Sequence, residues 1–221
     1  MRRTSLLGLA LTLSLVGCAS RADDAALGLQ GTTTEANGPS QTAPVDTDLA
    51  TCAPDDLDAT ALEPLLVDDR PGFDLQADDA DDTGPSDLAK AGRDDEQPDG
   101  ELALTALRFR RGYQRFWAND AGQRLVVFVY EFCDGADATA YGNRVFDYVV
   151  GLEPFEVLGA PGARGISGTT DGFVVAYAAA TFNSTLVFTI TSGPEGTDLL
   201  GDAHDRAAAL LIDQGAILTN S

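Results

Sequence analysis

Apolar positions change their spacing several times along this chain, and each change marks a different kind of segment. From Leu6 to Val16 they run nearly unbroken behind Arg2 and Arg3. That run is too short to span a bilayer, which takes about 20 helical residues. With its basic start and the small residues that follow, it has the three parts of an export signal. From Gly28 to Thr51 large apolar side chains almost vanish among Thr, Ser, Pro, Gly and Ala. Such a stretch buries too little surface to offset the entropy of ordering, so a flexible tether is expected. Between Cys52 and Gln97 acids alternate with Leu57, Leu62, Leu65, Leu66, Val67, Phe73, Leu75 and Leu88. Part of this segment is expected to dock on a folded domain, with a short helix from Ser86 as N-cap to Arg93.

Beyond residue 99 the pattern becomes that of a compact unit. A short helix from Asp99 to Ala106 leads into Arg108–Trp117, where aromatic and basic residues alternate, then the turn Asn119-Asp120-Ala121-Gly122 and the run Leu125–Phe132. Two strands joined by a tight turn fit this best. Asp134 caps a segment with Tyr141, Val145, Tyr148 and Val149 at helical spacing, ending at Gly151. Phe155–Leu158, Phe173–Phe182 and Leu186–Thr191 read as strands, the last two joined at Asn183-Ser184-Thr185. Thr197 opens a final helix with Leu199, Leu200, Ala203, Ala207, Leu210 and Leu211 on one face and Gly215 after its end. The order predicts an α+β fold, an antiparallel sheet of about five strands with helices packed on one face. The expected divisions are 1–17 signal, 18–51 tether, 52–101 an acidic, partly ordered segment, and 102–221 the α+β domain.

Charge sharpens this division. The chain has 35 acidic and 14 basic residues, a net of -21. From Cys18 to Glu101 there are 22 acids against four basic residues, a net of -18, while Leu102 to the end carries 13 acids and eight arginines. A surface so acidic repels phosphates, which excludes nucleic acid as a partner.

Leu15, Val16, Gly17 and Cys18 resemble the lipobox of bacterial lipoproteins, in which the cysteine carries a lipid and becomes the new N-terminus. The resemblance implies a protein anchored to the cell membrane or the outer membrane on its extracytoplasmic side. The alternative is an ordinary secretory signal cut at Ala22, which would release the protein. Using Cys18 as the anchor leaves Cys52 and Cys133 as a candidate disulfide in an oxidising compartment, closing a loop of 81 residues. The alternative there is two free thiols.

No catalytic signature emerges. The single histidine, His204, sits among Asp202, Asp205 and Arg206 and reads as an exposed helical residue. Ser167, in Gly165-Ile166-Ser167-Gly168, lacks nucleophile-elbow spacing. The glycines at 162, 165 and 168 precede a strand rather than a helix, so they suggest a hairpin or bulge loop, not a phosphate cradle. Asp78, Asp79, Asp81 and Asp82 invite a calcium loop, but an EF-hand register from Asp79 places Lys90 where a bidentate Glu is needed. Neither metal nor cofactor is expected. Arg108, Arg110, Arg111 and Arg115, interleaved with Phe109, Tyr113, Phe116 and Trp117, form the basic cluster of the mature chain. Arg108, Arg111, Tyr113, Arg115 and Trp117 are therefore the candidate ligand-binding residues, as guanidinium groups and rings that could meet an anionic or aromatic ligand. The competing reading is internal pairing with the acidic segment upstream.

The segment from Arg111 to Trp117, the strand through Tyr130-Glu131-Phe132 and the Ala-rich helix after it together resemble small secreted lipoproteins of high-GC bacteria. That resemblance implies a fold class and an envelope location and assigns no catalytic residue. The expected function is a non-enzymatic, membrane-tethered ligand-binding or sensor-like domain, taking a small ligand or an envelope protein. Its runner-up is a structural or interaction protein of the envelope acting through its acidic segment. An enzyme built on carboxylates alone stands third. The sequence sets no oligomeric state.

Overall fold

The computed structural model describes residues 52, 57–76, 83–95, 97–196 and 198–221. The signal, Cys18, the tether and the Asp78–Asp82 run all lie outside them. Among the described residues eight strands form one antiparallel sheet: β1 Asp74–Leu75, β2 Gly84–Ser86, β3 Phe109–Ala118, β4 Arg124–Phe132, β5 Glu153–Phe155, β6 Arg164–Thr170, β7 Phe173–Phe182 and β8 Thr185–Pro194. The order across the sheet is β1-β3-β4-β8-β7-β6-β5, with β2 sharing the outer edge of β3 with β1. A 3-10 helix, Ala59–Leu65, and four α-helices accompany it: α1 Leu88–Asp94, α2 Gly100–Ala106, α3 Gly135–Tyr148 and α4 Leu200–Asn220.

Local chemistry accounts for most boundaries. The β3–β4 turn closes because Asn119 Oδ1 accepts from the backbone N–H of Ala121 and Gln123, at 3.1 and 3.0 Å, while Gly122 takes φ +78°. Asp134 caps α3 by accepting from the N–H of Ala136 and Asp137. Asp87 rather than Ser86 caps α1, accepting from Lys90 N–H, because Ser86 is the last residue of β2.

The sheet is larger than the expected five strands, and its helices lie on both faces rather than one. In β4 the odd-numbered Leu125, Val127 and Val129 join Tyr113, Trp117, Val187, Ala176 and Ala178 beneath α4 and the 3-10 helix. The even-numbered Tyr130 and Phe132 join Phe109, Leu186, Phe188, Tyr141 and Phe146 beneath α1 and α3. Side chains alternate across a strand, so these are opposite faces. The run Leu125–Phe132 is apolar at successive positions, which signals burial on both sides and calls for two covers.

α4 carries Ala203, Ala207, Leu210 and Leu211 against the first face. Each buried leucine is worth roughly 1.5–3 kcal/mol. Two buried threonines of β8 fasten the helix, Thr189 Oγ1 donating to Ala207 O at 3.1 Å and Thr191 Oγ1 to Ala203 O at 3.0 Å. Gln214 then clips the 3-10 helix, donating through Nε2 to Leu65 O at 2.6 Å and accepting through Oε1 from Val67 N–H at 3.1 Å. The helix does not end at Gly215. That glycine lies mid-helix because the ring of Phe182 occupies the space a side chain would take.

The glycine-rich stretch is a loop only at Gly162, which sits in the turn before β6. Gly165, Ser167 and Gly168 belong to β6. A Cβ on Gly165 would meet the Phe155 ring at 2.7 Å, and one on Gly168 would meet Leu152 Cδ2 at 2.7 Å. These glycines admit neighbours to the strand, one on each face.

Candidate ligand-binding site

β3 begins irregularly. Phe109 pairs with Phe132 and Arg111 with Glu131, so Arg110 is the extra residue of a bulge. Just before it, Arg108 holds φ +51°, a conformation uncommon for a residue with a side chain. Its carbonyl accepts from Cys133 N–H at 3.2 Å, and Cys133 is bridged to Cys52 with Cα atoms 5.7 Å apart. Cys52 is thereby fixed against the end of the β3–β4 ladder.

The bulge lets two adjacent arginines share one carboxylate. Arg110 Nη1 and Arg111 Nε each donate at 2.6 Å to separate oxygens of Glu131. Arg111 Nη1 also donates to Asp58 O at 2.9 Å. Arg108 pairs with Asp134, and its Nη2 lies 2.6 Å from Asp137 Oδ2. Asp134 titrates below the usual carboxylate range, chiefly because the Asp137 N–H bonds to it and then because of Arg108, whose own pKa is raised mainly by that pairing.

Between this bulge, β2 and the start of α1 lies a hollow of about 420 Å³, walled by Leu57, Leu88 and Phe109. Arg108, Arg110, Arg111 and Asp87 supply its charged lining and Thr105 an exposed hydroxyl, with Ser86 packed behind its wall. Ser86 is fully buried, and its hydroxyl has no hydrogen-bond partner; Arg110 Nε is likewise buried and unpartnered. Native proteins rarely leave such groups unsatisfied.

Of the residues singled out in the sequence, Arg108 and Arg111 reach this hollow. Tyr113, Arg115 and Trp117 do not, because they point into the core under the 3-10 helix and α4. Arg115 is an internal clamp: Nη1 donates to Val67 O and Asp68 Oδ1, both at 2.6 Å, and Nη2 to Glu63 O at 3.2 Å. It satisfies carbonyls at the end of the 3-10 helix, where no intrahelical donor remains. Internal pairing with the upstream acids thus describes Arg115, and also Arg144, which donates to Asp95 at 2.8 Å and Asp99 at 2.6 Å. Burial raises the pKa of Asp95 even so. The arginines of the hollow pair instead with downstream acids on β4 and α3. Ser86 and Arg110 were missed as site residues, and the isolated Ser86 offered no sequence signal.

A second meeting was also missed. The Ser167 hydroxyl and His204 Nε2 share a hydrogen bond, and the Phe155 ring stacks on the imidazole at 4.3 Å and 2°. His204 is therefore half-buried rather than exposed, and burial lowers its pKa. Ser167 is only 2% exposed. No substrate reaches its hydroxyl in this arrangement, which fastens α4 to β6. Among the described residues, no cluster of three or more metal-ligating side chains occurs, and no helix is long and apolar enough to cross a membrane.

No protein-family model matches the chain, and no curated protein matches its sequence. Among solved structures, the extracellular domain of PknH from Mycobacterium tuberculosis is similar at 12% identity and a TM-score of 0.46, over 72% of this chain and 97% of that one. A GTP-binding regulator from Thermotoga maritima is similar at 11% identity and a TM-score of 0.37, over 71% and 89%. Superpositions this loose carry no argument about function.

Proposed function

We propose that this protein is a lipid-anchored, extracytoplasmic domain that binds a small molecule in the hollow beside the Cys52–Cys133 bridge and performs no chemistry on it. The observation that carries the reading is the hollow itself, of a size usual for small-molecule sites, with apolar walls from Leu57, Leu88 and Phe109 beside the arginines of the bulge. A disulfide suits a compartment outside the cytoplasm, in keeping with the export signal and the lipobox-like Leu15–Cys18. A binding role is favoured over an acidic interaction surface because Asp68, Asp95 and Asp99 of the acidic segment are already engaged by Arg115 and Arg144.

Two measurements test this. The intact mass of protein from a membrane fraction, native and as Cys18→Ala, should show a lipid on Cys18 in the native form alone; an unlipidated soluble form would overturn the anchor. Thr105 is exposed at the hollow. Thr105→Trp should fill it, so ligand-dependent thermal stabilisation seen in the native protein should disappear. Stabilisation that survives the substitution would place binding elsewhere.

A further inference from the structure

We infer that the Cys52–Cys133 bridge is a redox latch on the hollow: a dithiol reduces it in the folded protein, and reduction releases Cys52 from the hollow while the sheet and the 3-10 helix stay in place.

Position comes first. Cys52 lines the hollow, and Cys133 follows the last residue of β4. Neither cysteine is fully buried, and neither belongs to the hydrophobic core on either face of the sheet. Exposed bridges are the ones that exchange readily with external thiols.

The native contacts of the acidic segment do not depend on the bridge. The 3-10 helix is held through Leu62 and Leu66, 3% and 2% exposed in the core beneath it. Arg115 grips the carbonyls of Glu63 and Val67, and Gln214 of α4 bonds to Leu65 and Val67. β1 and β2 are paired along β3. All of these contacts survive an open bridge, whose loss acts chiefly by freeing the unfolded chain. Cys52 is different: among the described residues it is bonded to Cys133 alone. At the other end, Cys133 N–H donates to the carbonyl of Arg108, which holds φ +51° and also lines the hollow. Opening the bridge therefore loosens the hollow at Cys52 and at Arg108 and leaves the rest of the fold clamped.

The chemistry is thiol–disulfide exchange. One thiolate of the dithiol attacks the Cys52 sulfur, the S–S bond breaks, and Cys133 departs as a thiolate at the N-terminal end of α3, where the helix dipole favours an anion. The second thiol attacks the mixed disulfide and frees Cys52. Two electrons pass to the bridge, the dithiol's two protons end on the two cysteine sulfurs, and the dithiol becomes a cyclic disulfide. The latch stands on the bridge and its surroundings; that it controls a ligand's access rests on the binding role proposed above.

The test uses the full chain in millimolar dithiothreitol. Alkylation and intact mass count the thiols, Trp117 emission reports the core, and amide order parameters report local motion. The expected result is alkylation at both Cys52 and Cys133 with native Trp117 emission. The order parameter of the Cys52 amide should fall from about 0.85 to below about 0.6, while those of Val127 and Val129 in β4 stay near the rigid value. A bridge that opens only when urea unfolds the chain would overturn the inference. So would loss of native Trp117 emission on reduction, which would make the bridge a structural staple, and so would a Cys52 amide that stays rigid with both thiols free. Each of these failures leaves the binding role standing, because that role is decided by the Thr105→Trp comparison with the bridge closed. Stabilisation that survives Thr105→Trp would overturn the binding role and leave the latch standing.

Discussion

Replacing both Cys52 and Cys133 by alanine removes a cross-link that closes 81 residues. The double variant is the clean perturbation, since a single substitution leaves a thiol free to pair wrongly. Chain-entropy arithmetic for a loop of that length gives about 4.5 kcal/mol at 25 °C, added through restriction of the unfolded chain. The cross-linked span runs from Cys52, ahead of the 3-10 helix, to Cys133, just past the end of β4, and so contains the 3-10 helix and strands β1 to β4. Against a total of about 5–15 kcal/mol for a native domain, the loss is severe without being fatal. Urea unfolding followed by tryptophan emission is the assay, because the single tryptophan, Trp117, is 1% exposed and reports the central core. With a slope near 2 kcal/mol per molar urea, the midpoint should fall by about 2 M. A fall of less than about 0.5 M at unchanged slope would refute the reasoning, showing that the unfolded chain stays constrained without the bridge.

Gly215→Ala sets two effects against each other. Helix propensity alone predicts a gain of roughly 1 kcal/mol, whereas the Phe182 ring occupying the methyl's place costs about 1–3 kcal/mol, so a net loss of up to about 2 kcal/mol is expected, readable as a lower urea midpoint. Arg144→Met should cost about 3 kcal/mol, because Asp95, whose side chain is 3% exposed, loses its partner; the loss should shrink when Asp95→Asn is added, in a double-mutant cycle. The lowered pKa of His204 means that the unfolded chain, with an ordinary value of 6.5, takes up the proton first. Its contribution to stability is therefore full above pH 6.5, declines as pH falls toward the folded-state pKa, and levels off below it. His204→Asn should flatten that part of a plot of thermal midpoint against pH.

The long elements were legible because each follows one period cleanly. β3, β4 and their Asn119–Gly122 turn, α3 with its Asp134 cap, and the β7–β8 hairpin all lie within about three residues of where spacing and turn chemistry put them. The elements missed are those whose identity is tertiary. β1 and β2 have two and three residues and exist only because the edge of β3 is there to pair with. β6 was hidden by Gly165 and Gly168, which read locally as turn formers and are there to admit Phe155 and Leu152. Gly215 misled in the same way. At the site, strand alternation could not separate the candidates, because Arg111, Tyr113, Arg115 and Trp117 share one parity. The bulge that turns Arg110 and Arg111 onto one carboxylate breaks that alternation, and nothing local announces it.

The edge strands bear on whether copies of the chain can pair through their sheets. β4, β7 and β8 are long, apolar and β-branched, the kind of segment that templates strand addition between chains when its backbone is open. All three lie inside the sheet. At the rims sit strands of two or three residues, with Pro85 in β2 and Pro154 in β5, neither able to donate to a further strand. A chain that arrives edge-on finds too few donors to register against. Growth by strand addition is therefore disfavoured at both rims, without any need for a bulky shield.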